Sequence, residues 1–157
     1  AMSTARRAVG NGLELVLAAE SRFRCGPAYG EMMADALRRR GVSVDVVPDD
    51  GIEAAIDRCD AVVVGADSIL PDGSLINGWP TSRVAKVAAG KGIAVHVFAE
   101  MAKINAAPML GRSVETEPGF DLVPAALVTD YVTERGRLRP HEIMPLAEAW
   151  AVWLRVL

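Results

Sequence analysis

The stretch VVVGADSI at residues 62–69 decides the fold class of this chain. Its first three residues are β-branched and apolar, which is typical of a strand buried on both faces of a parallel sheet. The small residues Gly65 and Ala66 then form a turn that presents the carboxylate of Asp67. Ligands of open α/β sheets bind at the carboxyl ends of the strands, so Asp67 is a candidate catalytic residue. A second polar loop, NGWPT at residues 77–81, ends where a helix is predicted to begin.

Short β-rich runs alternate with helical patterns along the whole chain. Apolar spacing and flanking Gly or Pro predict strands at 13–18, 42–47, 61–64, 93–99 and 127–133, and helices at 29–40, 52–58, 81–89 and 142–157. This alternation favours a Rossmann-like three-layer α/β domain, with a mostly parallel sheet and helices on both faces. We expect one such domain over residues 2–157. The last helix is expected to have an apolar face that packs on the core or on a dimer partner. This face is formed by Leu146, Trp150, Trp153 and Leu157.

Composition excludes several classes of function. The formal net charge is −3, and binding to nucleic acid depends on clustered Lys and Arg, so no nucleic-acid partner is expected. No apolar run approaches the roughly 18 residues of a membrane span, and no leader is recognised, so no membrane partner is expected. Cys25 and Cys59 form no CxxC pair, which favours a reducing, cytoplasmic location. Without metal-ligand spacing, a Walker loop or a G-x-G-x-x-G turn, we predict no cofactor.

Several blocks carry a family resemblance. They are ESR at 20–22, PDD at 48–50, GADSI at 65–69, DGSLIN at 72–77, VFAEMAK at 97–103, FDLVP at 120–124 and VTERG at 132–136. In this order they resemble signatures of the translation initiation factor 2B alpha/beta/delta family, which includes methylthioribose-1-phosphate isomerase and ribose-1,5-bisphosphate isomerase. The resemblance implies a Rossmann-like domain that carries part of a sugar-phosphate site and much of a dimer interface.

The same resemblance implies roles for individual residues. In the isomerases, the Asp of the G-A-D block is the acid/base group that converts an aldose 1-phosphate to a ketose, and an Asn ten residues later helps hold the substrate. Asp67 would therefore be the catalytic residue of this chain and Asn77 a substrate contact. The other candidate contacts to a phosphorylated small molecule are Arg22, Cys25, Gly26, Gly78, Thr81 and Lys103.

Most of these candidates have a structural alternative. Arg22 and Lys103 are phosphate contacts or solvated surface charges. Thr81 either caps the helix that it begins or offers an anion its hydroxyl and the free N–H groups there. Cys25 is either a buried thiol or a loop thiol near the ligand. Asn77 also suits a turn, because it precedes a glycine.

The chain also departs from the family pattern. Family members are about twice as long, and we expect no counterpart here of their N-terminal helical half or of the C-N-A-G segment whose Cys is the second catalytic residue. Glu100, at a predicted strand end, is a candidate for that second acid/base role, while His96 and His141 are expected to be structural. Catalysis would then need a homodimer mate or a separate helical-half subunit. The alternative is a non-catalytic subunit that senses a sugar phosphate or nucleotide.

Overall fold

The structure, a computed structural model, describes residues 3–9 and 12–156. Met2 and Leu157, which bound the predicted domain, lie outside the described residues. The strands are β1 (Ser3–Val9), β2 (Gly12–Ala19), β3 (Val44–Val47), β4 (Ala61–Val64), β5 (Ser68–Ile69), β6 (Leu75–Gly78), β7 (Ala94–Phe98), β8 (Phe120–Val123), β9 (Asp130–Thr133) and β10 (Gly136–Leu138). The α-helices are α1 (Tyr29–Arg38), α2 (Ile52–Ile56), α3 (Thr81–Gly90) and α4 (Ile143–Val156). Within the described ranges, none of the helices has the length and apolarity to cross a membrane.

Seven strands form one mixed sheet, in the order β10-β9-β7-β4-β1-β2-β3. Strands β2, β3, β4, β7 and β9 run in one direction and correspond to the five strands that the sequence predicts. Strand β1 lies between β2 and β4 and is antiparallel to both, and β10 is antiparallel to β9. The expectation of a mostly parallel sheet is therefore wrong at its centre. The β1 sequence STARRAV lacks the apolar run that marks a buried parallel strand, so the pattern did not reveal it.

A second, antiparallel sheet in the order β5-β6-β8 follows the turn at Asp67. It pairs Asn77 with Asp121 and brings the start of β8 to the loop after β6. There the main-chain N–H of Trp79 donates to the carbonyl oxygen of Gly119 at 2.9 Å. No strand of this sheet has more than four residues, which is too short for alternation to distinguish it from a loop. The small sheet was therefore missed in the sequence, although it supplies part of the candidate site.

Alternate residues of β2 pack into different hydrophobic clusters. Val16 and Ala18 belong to a cluster with buried residues of α1, whereas Leu17 and Ala19 belong to the larger cluster with buried residues of α2, α3 and α4. Successive side chains of a strand point to opposite faces of its sheet. Strand β2 thus has α1 on one side and the other helices on the other side.

The start of α1 packs unusually closely against the end of β2. A Cβ atom at Gly30 would lie 1.9 Å from the carbonyl oxygen of Ala19, and the Gly30 N–H donates to the carbonyl oxygen of Glu20 at 2.9 Å. Only a residue without a side chain allows this approach. The contact fixes both ends of the loop at residues 20–28, which forms one wall of the candidate site.

Helix α4 exists as the sequence predicts, but its buried face differs. Ile143, Ala147 and Ala151 are buried, while Trp150 and Trp153 are 41% and 73% exposed. The small side chain of Ala147 lets this face of the helix pack closely into the larger hydrophobic cluster, which an indole ring there would prevent. Placing these tryptophans in the core is therefore wrong, and a dimer contact stays a prediction.

Candidate functional site

Asp67 lies at the carboxyl edge of the large sheet, just after β4. Its main-chain N–H donates to the carbonyl oxygen of Ile76 at 2.9 Å, which ties the turn to β6. The side chain is exposed. Among the described residues, its carboxylate has no hydrogen-bond or ion-pair partner. The carboxylate is therefore available to a ligand.

The loop at residues 20–28 is held by a carboxylate that follows β3. Asp49 accepts the main-chain N–H of Ser21 at 2.8 Å and that of Arg22 at 3.0 Å. Ser21 is buried and has a φ of 51°, a left-handed conformation that costs about 1–2 kcal/mol for a residue with a side chain. The two hydrogen bonds from Asp49 offset this cost and set the course of the loop.

Arg22 has partners within the same loop. Its Nε atom donates to Oε1 of Glu20 at 2.7 Å, and its Nη1 atom donates to the carbonyl oxygen of Gly26 at 3.3 Å. The hydrogen bond to the Glu20 carboxylate raises the pKa of Arg22. Since the guanidinium closes the loop and does not line the cavities beside Asp67, its contact with a phosphate stays a prediction.

A cavity of about 360 Å³ opens on one side of Asp67. We call it the aromatic pocket, because its walls carry Phe23, Tyr29, Trp79 and Phe120. The remaining lining comes from the two glycine-containing loops and the turn before β8, namely Ser21, Gly26, Pro27, Gly78, Pro118 and Gly119. The structure therefore brings together three of the predicted site residues here: Asp67, Gly26 and Gly78.

A second cavity, of about 420 Å³, opens on the other side of Asp67. We call it the cationic pocket, since Lys103 and Arg112 line it together with Ser68 and Asn105. The Asn105 amide is fixed in place, because its Nδ2 donates to Oγ of Ser68 at 3.1 Å and its Oδ1 accepts the N–H of Ala107 at 2.9 Å. The predicted contact Lys103 thus shares a cavity with Asp67.

Asn77 and Thr81 lie behind these cavities. Both are buried, and Nδ2 of Asn77 donates to Oγ1 of Thr81 at 2.9 Å while that hydroxyl donates to the carbonyl oxygen of Gly78 at 2.6 Å. The first turn of α3 already holds an anionic group, since the Ser82 N–H donates to the carboxylate of Asp121 at 3.0 Å. These bonds position Gly78, and the predicted substrate contacts of Asn77 and Thr81 stay predictions.

The remaining candidates lie outside both pockets. Cys25 is exposed and unpaired, so the alternative of a buried thiol is wrong. Glu100 and His141 are exposed and line neither cavity. His96 bonds through Nδ1 to the buried carboxylate of Asp130 at 2.7 Å, which fits the structural role expected of it. Within residues 3–9 and 12–156, no three His, Cys, Asp or Glu side chains form a group that could hold a metal ion.

Sequence reasoning missed the aromatic walls and Arg112. A signal was present for the walls: only eight residues of the chain are Phe, Trp or Tyr, and four of them stand in or beside Gly- and Pro-containing loops. Loop aromatics of this kind are candidates for ligand contacts. Arg112 follows a Gly in an irregular segment and carries no comparable signal.

An unpaired carboxylate at the carboxyl edge, between an aromatic and a cationic pocket, gives this α/β domain a candidate small-molecule site. The chain belongs to the initiation factor 2 subunit family, whose model matches residues 1–118. This confirms the family resemblance found in the sequence.

Relatives in the family include sugar-phosphate isomerases. Ribose 1,5-bisphosphate isomerase of Haloterrigena turkmenica is 31% identical, over 93% of this chain and 54% of that protein. Methylthioribose-1-phosphate isomerase of Gemmatimonas aurantiaca is 29% identical, over 84% of this chain and 47% of that protein. The crystal structure of 5-methylthioribose 1-phosphate isomerase from Pyrococcus horikoshii OT3 has a TM-score of 0.72 at 22% identity, over 88% of this chain and 46% of that chain, and shares the fold. The chain thus spans about half the length of the relatives it matches.

Proposed function

We propose that this domain binds a pentose 1-phosphate at Asp67 and takes part in its isomerisation from aldose to ketose. The observation that carries the proposal is the unpartnered Asp67 carboxylate, which lines both pockets at the carboxyl edge of the sheet. The names of the two curated relatives reported above, both isomerases of pentose phosphates, support the reaction class. Gly26, Gly78 and Lys103 line the same cavities as Asp67 and are the best-supported substrate contacts.

The reaction needs no oxidant or reductant. A hydrogen moves from C2 to C1 while the C2 hydroxyl loses its proton and the ring oxygen, released from C1, gains one. Asp67 would move one of these oxygen-bound protons as general base or acid. Two such transfers generally require two positioned groups, and Asp67 is the only carboxylate among the described residues that lines the two pockets.

The second proton-transfer group is proposed to come from another chain. Glu100, the candidate within this chain, lies outside both cavities. A homodimer mate or a separate helical-half subunit would then complete the site. The alternative function is a subunit that senses a sugar phosphate or nucleotide without turnover, and the position of Glu100 favours it.

We also retain three predictions from the sequence within this proposal. The Rossmann-like three-layer arrangement is supported by the separate hydrophobic clusters that alternate residues of β2 enter. The single domain over residues 2–157 and a cytoplasmic location are kept as expectations.

The proposal is tested by calorimetric titration of the 157-residue chain with ribose 1,5-bisphosphate and methylthioribose 1-phosphate, followed by NMR detection of ketose. We expect binding, with slow product formation that Asp67→Asn lowers at least about a hundredfold. Asp50→Asn is the matched control, because Asp50 is an exposed carboxylate at the same edge and outside both pockets. Binding without product in wild type would refute catalysis by this chain or its homodimer, leaving the separate helical-half subunit or the sensor alternative. Absence of binding to either sugar phosphate would refute both functions.

A further inference from the structure

A third cavity, of about 590 Å³, opens between α4 and the turn that joins β9 to β10. We call it the tryptophan groove, because Trp150 and Trp153 of α4 line it. Asp67 does not line this groove, which shares only Ala102 and Trp150 with the cationic pocket. Its volume lies within the roughly 300–1,000 Å³ that is usual for small-molecule sites. The groove is therefore a candidate site that is independent of the proposed function.

The part of the wall outside α4 is held by hydrogen bonds. The carboxylate of Glu134 accepts the main-chain N–H of Met101 at 3.0 Å, which ties the segment after β7 to the turn. Within the turn, the N–H of Arg135 donates to Oγ1 of Thr133 at 3.1 Å, and the Thr133 hydroxyl donates to the carbonyl oxygen of Gly136 at 3.0 Å. Because these bonds involve only the protein, this side of the groove is formed before any ligand binds.

The turn places two opposite charges side by side in the groove. Glu134 and Arg135 are consecutive and exposed, and both line the cavity. Among the described residues, the guanidinium of Arg135 has no hydrogen-bond or ion-pair partner. A carboxylate has about four acceptor positions, so Glu134 keeps some of them free beyond the N–H of Met101. The groove can therefore pair a carboxylate with Arg135 and an ammonium with Glu134.

The two indoles supply an apolar surface beside these charges. Trp150 and Trp153 are 41% and 73% exposed, and Leu146 lines the same cavity. Indole rings offer a large contact area to apolar and aromatic groups. An apolar group that entered the groove would remove this surface from water, which is favourable in proportion to the area covered. The groove thus combines an apolar wall with one anion and one cation.

We propose that the tryptophan groove binds an apolar α-amino acid. The carboxylate of the amino acid binds Arg135, its ammonium binds Glu134, and its side chain lies against Trp150 and Trp153. A carboxylate without the ammonium would also face the negative charge of Glu134, and an amine without the carboxylate would face the positive charge of Arg135. The neighbouring charges therefore select a zwitterion over a simple anion or cation.

The test is calorimetric titration of the full 157-residue chain with L-phenylalanine at pH 6, where α-amino groups are protonated. L-Phenylalaninamide lacks the carboxylate and 3-phenylpropanoate lacks the ammonium. Each should bind at least about threefold more weakly, because partly exposed charge pairs contribute modestly. Arg135→Gln should weaken L-phenylalanine by a similar factor and should not weaken the amide. Glu134→Gln, which keeps an acceptor for Met101, should weaken L-phenylalanine and should not weaken 3-phenylpropanoate.

Variants of α4 test the apolar wall. Trp153→Ala should weaken all three compounds at least about tenfold. Val152→Ala is the matched control, since Val152 is 60% exposed on the same helix and does not line the groove. It should leave all three affinities unchanged, and circular dichroism checks that every variant is folded.

Three results would overturn the inference. They are no binding of L-phenylalanine, equal binding of the three compounds, and binding of L-phenylalanine that Arg135→Gln does not weaken. The other possible occupant of the groove is a second copy of this chain. A dimer in sedimentation equilibrium that Trp153→Ala dissociates, together with no heat from L-phenylalanine, would assign the groove to that copy. The proposed function is tested with other ligands at Asp67 and stands or falls separately.

Discussion

Asp49 and Asp67 each follow a parallel strand at the same edge of the sheet, yet the fold uses them differently. Asp49 accepts two main-chain N–H groups from the loop after β2. The carboxylate of Asp67 accepts none from the described residues and borders two cavities. Position at a strand end therefore does not distinguish a structural carboxylate from a functional one. The internal hydrogen-bond partners separate the two carboxylates, and Asp49 holds the wall beside which Asp67 is proposed to act.

Replacing each carboxylate by alanine should separate these roles most clearly. Asp49→Ala leaves the buried N–H of Ser21 without an acceptor and should lower the free energy of unfolding by about 2 kcal/mol. Asp67→Ala removes an exposed group without described partners and should change it by less than about 0.5 kcal/mol. Urea unfolding measures both. Asp49→Asn keeps one carbonyl acceptor, so its loss of unfolding free energy should lie between those of the two alanine variants. Equal destabilisation by Asp49→Ala and Asp67→Ala would refute the difference in their roles.

The second contrast is between Asp67 and Asn77, which the sequence placed together in one substrate site. Asn77 is 1% exposed and its amide donates to Thr81, so Asn77→Ala should lower the free energy of unfolding by about 1.5 kcal/mol. Urea unfolding gives this loss, and titration of the folded variant with ribose 1,5-bisphosphate reports on the predicted substrate contact. An Asn77→Ala protein as stable as wild type would contradict the structural role.

The sequence identified the parts of the fold with strong periodicity. The five parallel strands and the four helices have apolar patterns long enough to read, and Ala61–Val64 was predicted to the residue. Strand β1 and the small sheet were missed because their sequences lack a readable apolar pattern: β1 carries Arg6 and Arg7 at its centre, and no strand of the small sheet has more than four residues. The face of α4 was misplaced since hydrophobicity favoured the tryptophans, whereas close packing selected alanines.

The candidate site was predicted in part, because only some of its residues follow from the order of strands and loops. Asp67, Gly78 and Gly26 belong to turns at predicted strand ends or loops, so their convergence follows from topology. The approach of Phe120 depends on the pairing of β6 with β8, which no local pattern announced. The hydrogen bonds of Asp49 and Asp121 likewise join segments far apart in sequence. The sequence therefore located the candidate site at the carboxyl edge of the sheet. Tertiary pairing determined which side chains line that site.

The two cysteines show the same contrast between a side chain without an internal partner and one with an internal hydrogen bond. Replacing the exposed one is expected to change the stability least. Cys59 is buried, its Sγ donates to the carbonyl oxygen of Ala55 at 3.1 Å, and burial raises its pKa to about 11. At pH 8 only about one molecule in a thousand would carry the Cys59 thiolate that alkylating agents attack. Cys25 is exposed beside Gly26, which lines the aromatic pocket.

Iodoacetamide at pH 8 should therefore modify Cys25 alone, as mass spectrometry of the intact and digested protein would show. Cys25→Ser should abolish the modification and change the free energy of unfolding by less than about 0.5 kcal/mol, because the side chain is exposed. Cys59→Ser is the matched control and should leave the labelling of Cys25 unchanged. Comparable rates at both thiols in the folded protein would contradict the burial of Cys59. Slower labelling of Cys25 in the presence of methylthioribose 1-phosphate would place the thiol within reach of the ligand, the role that the sequence left open.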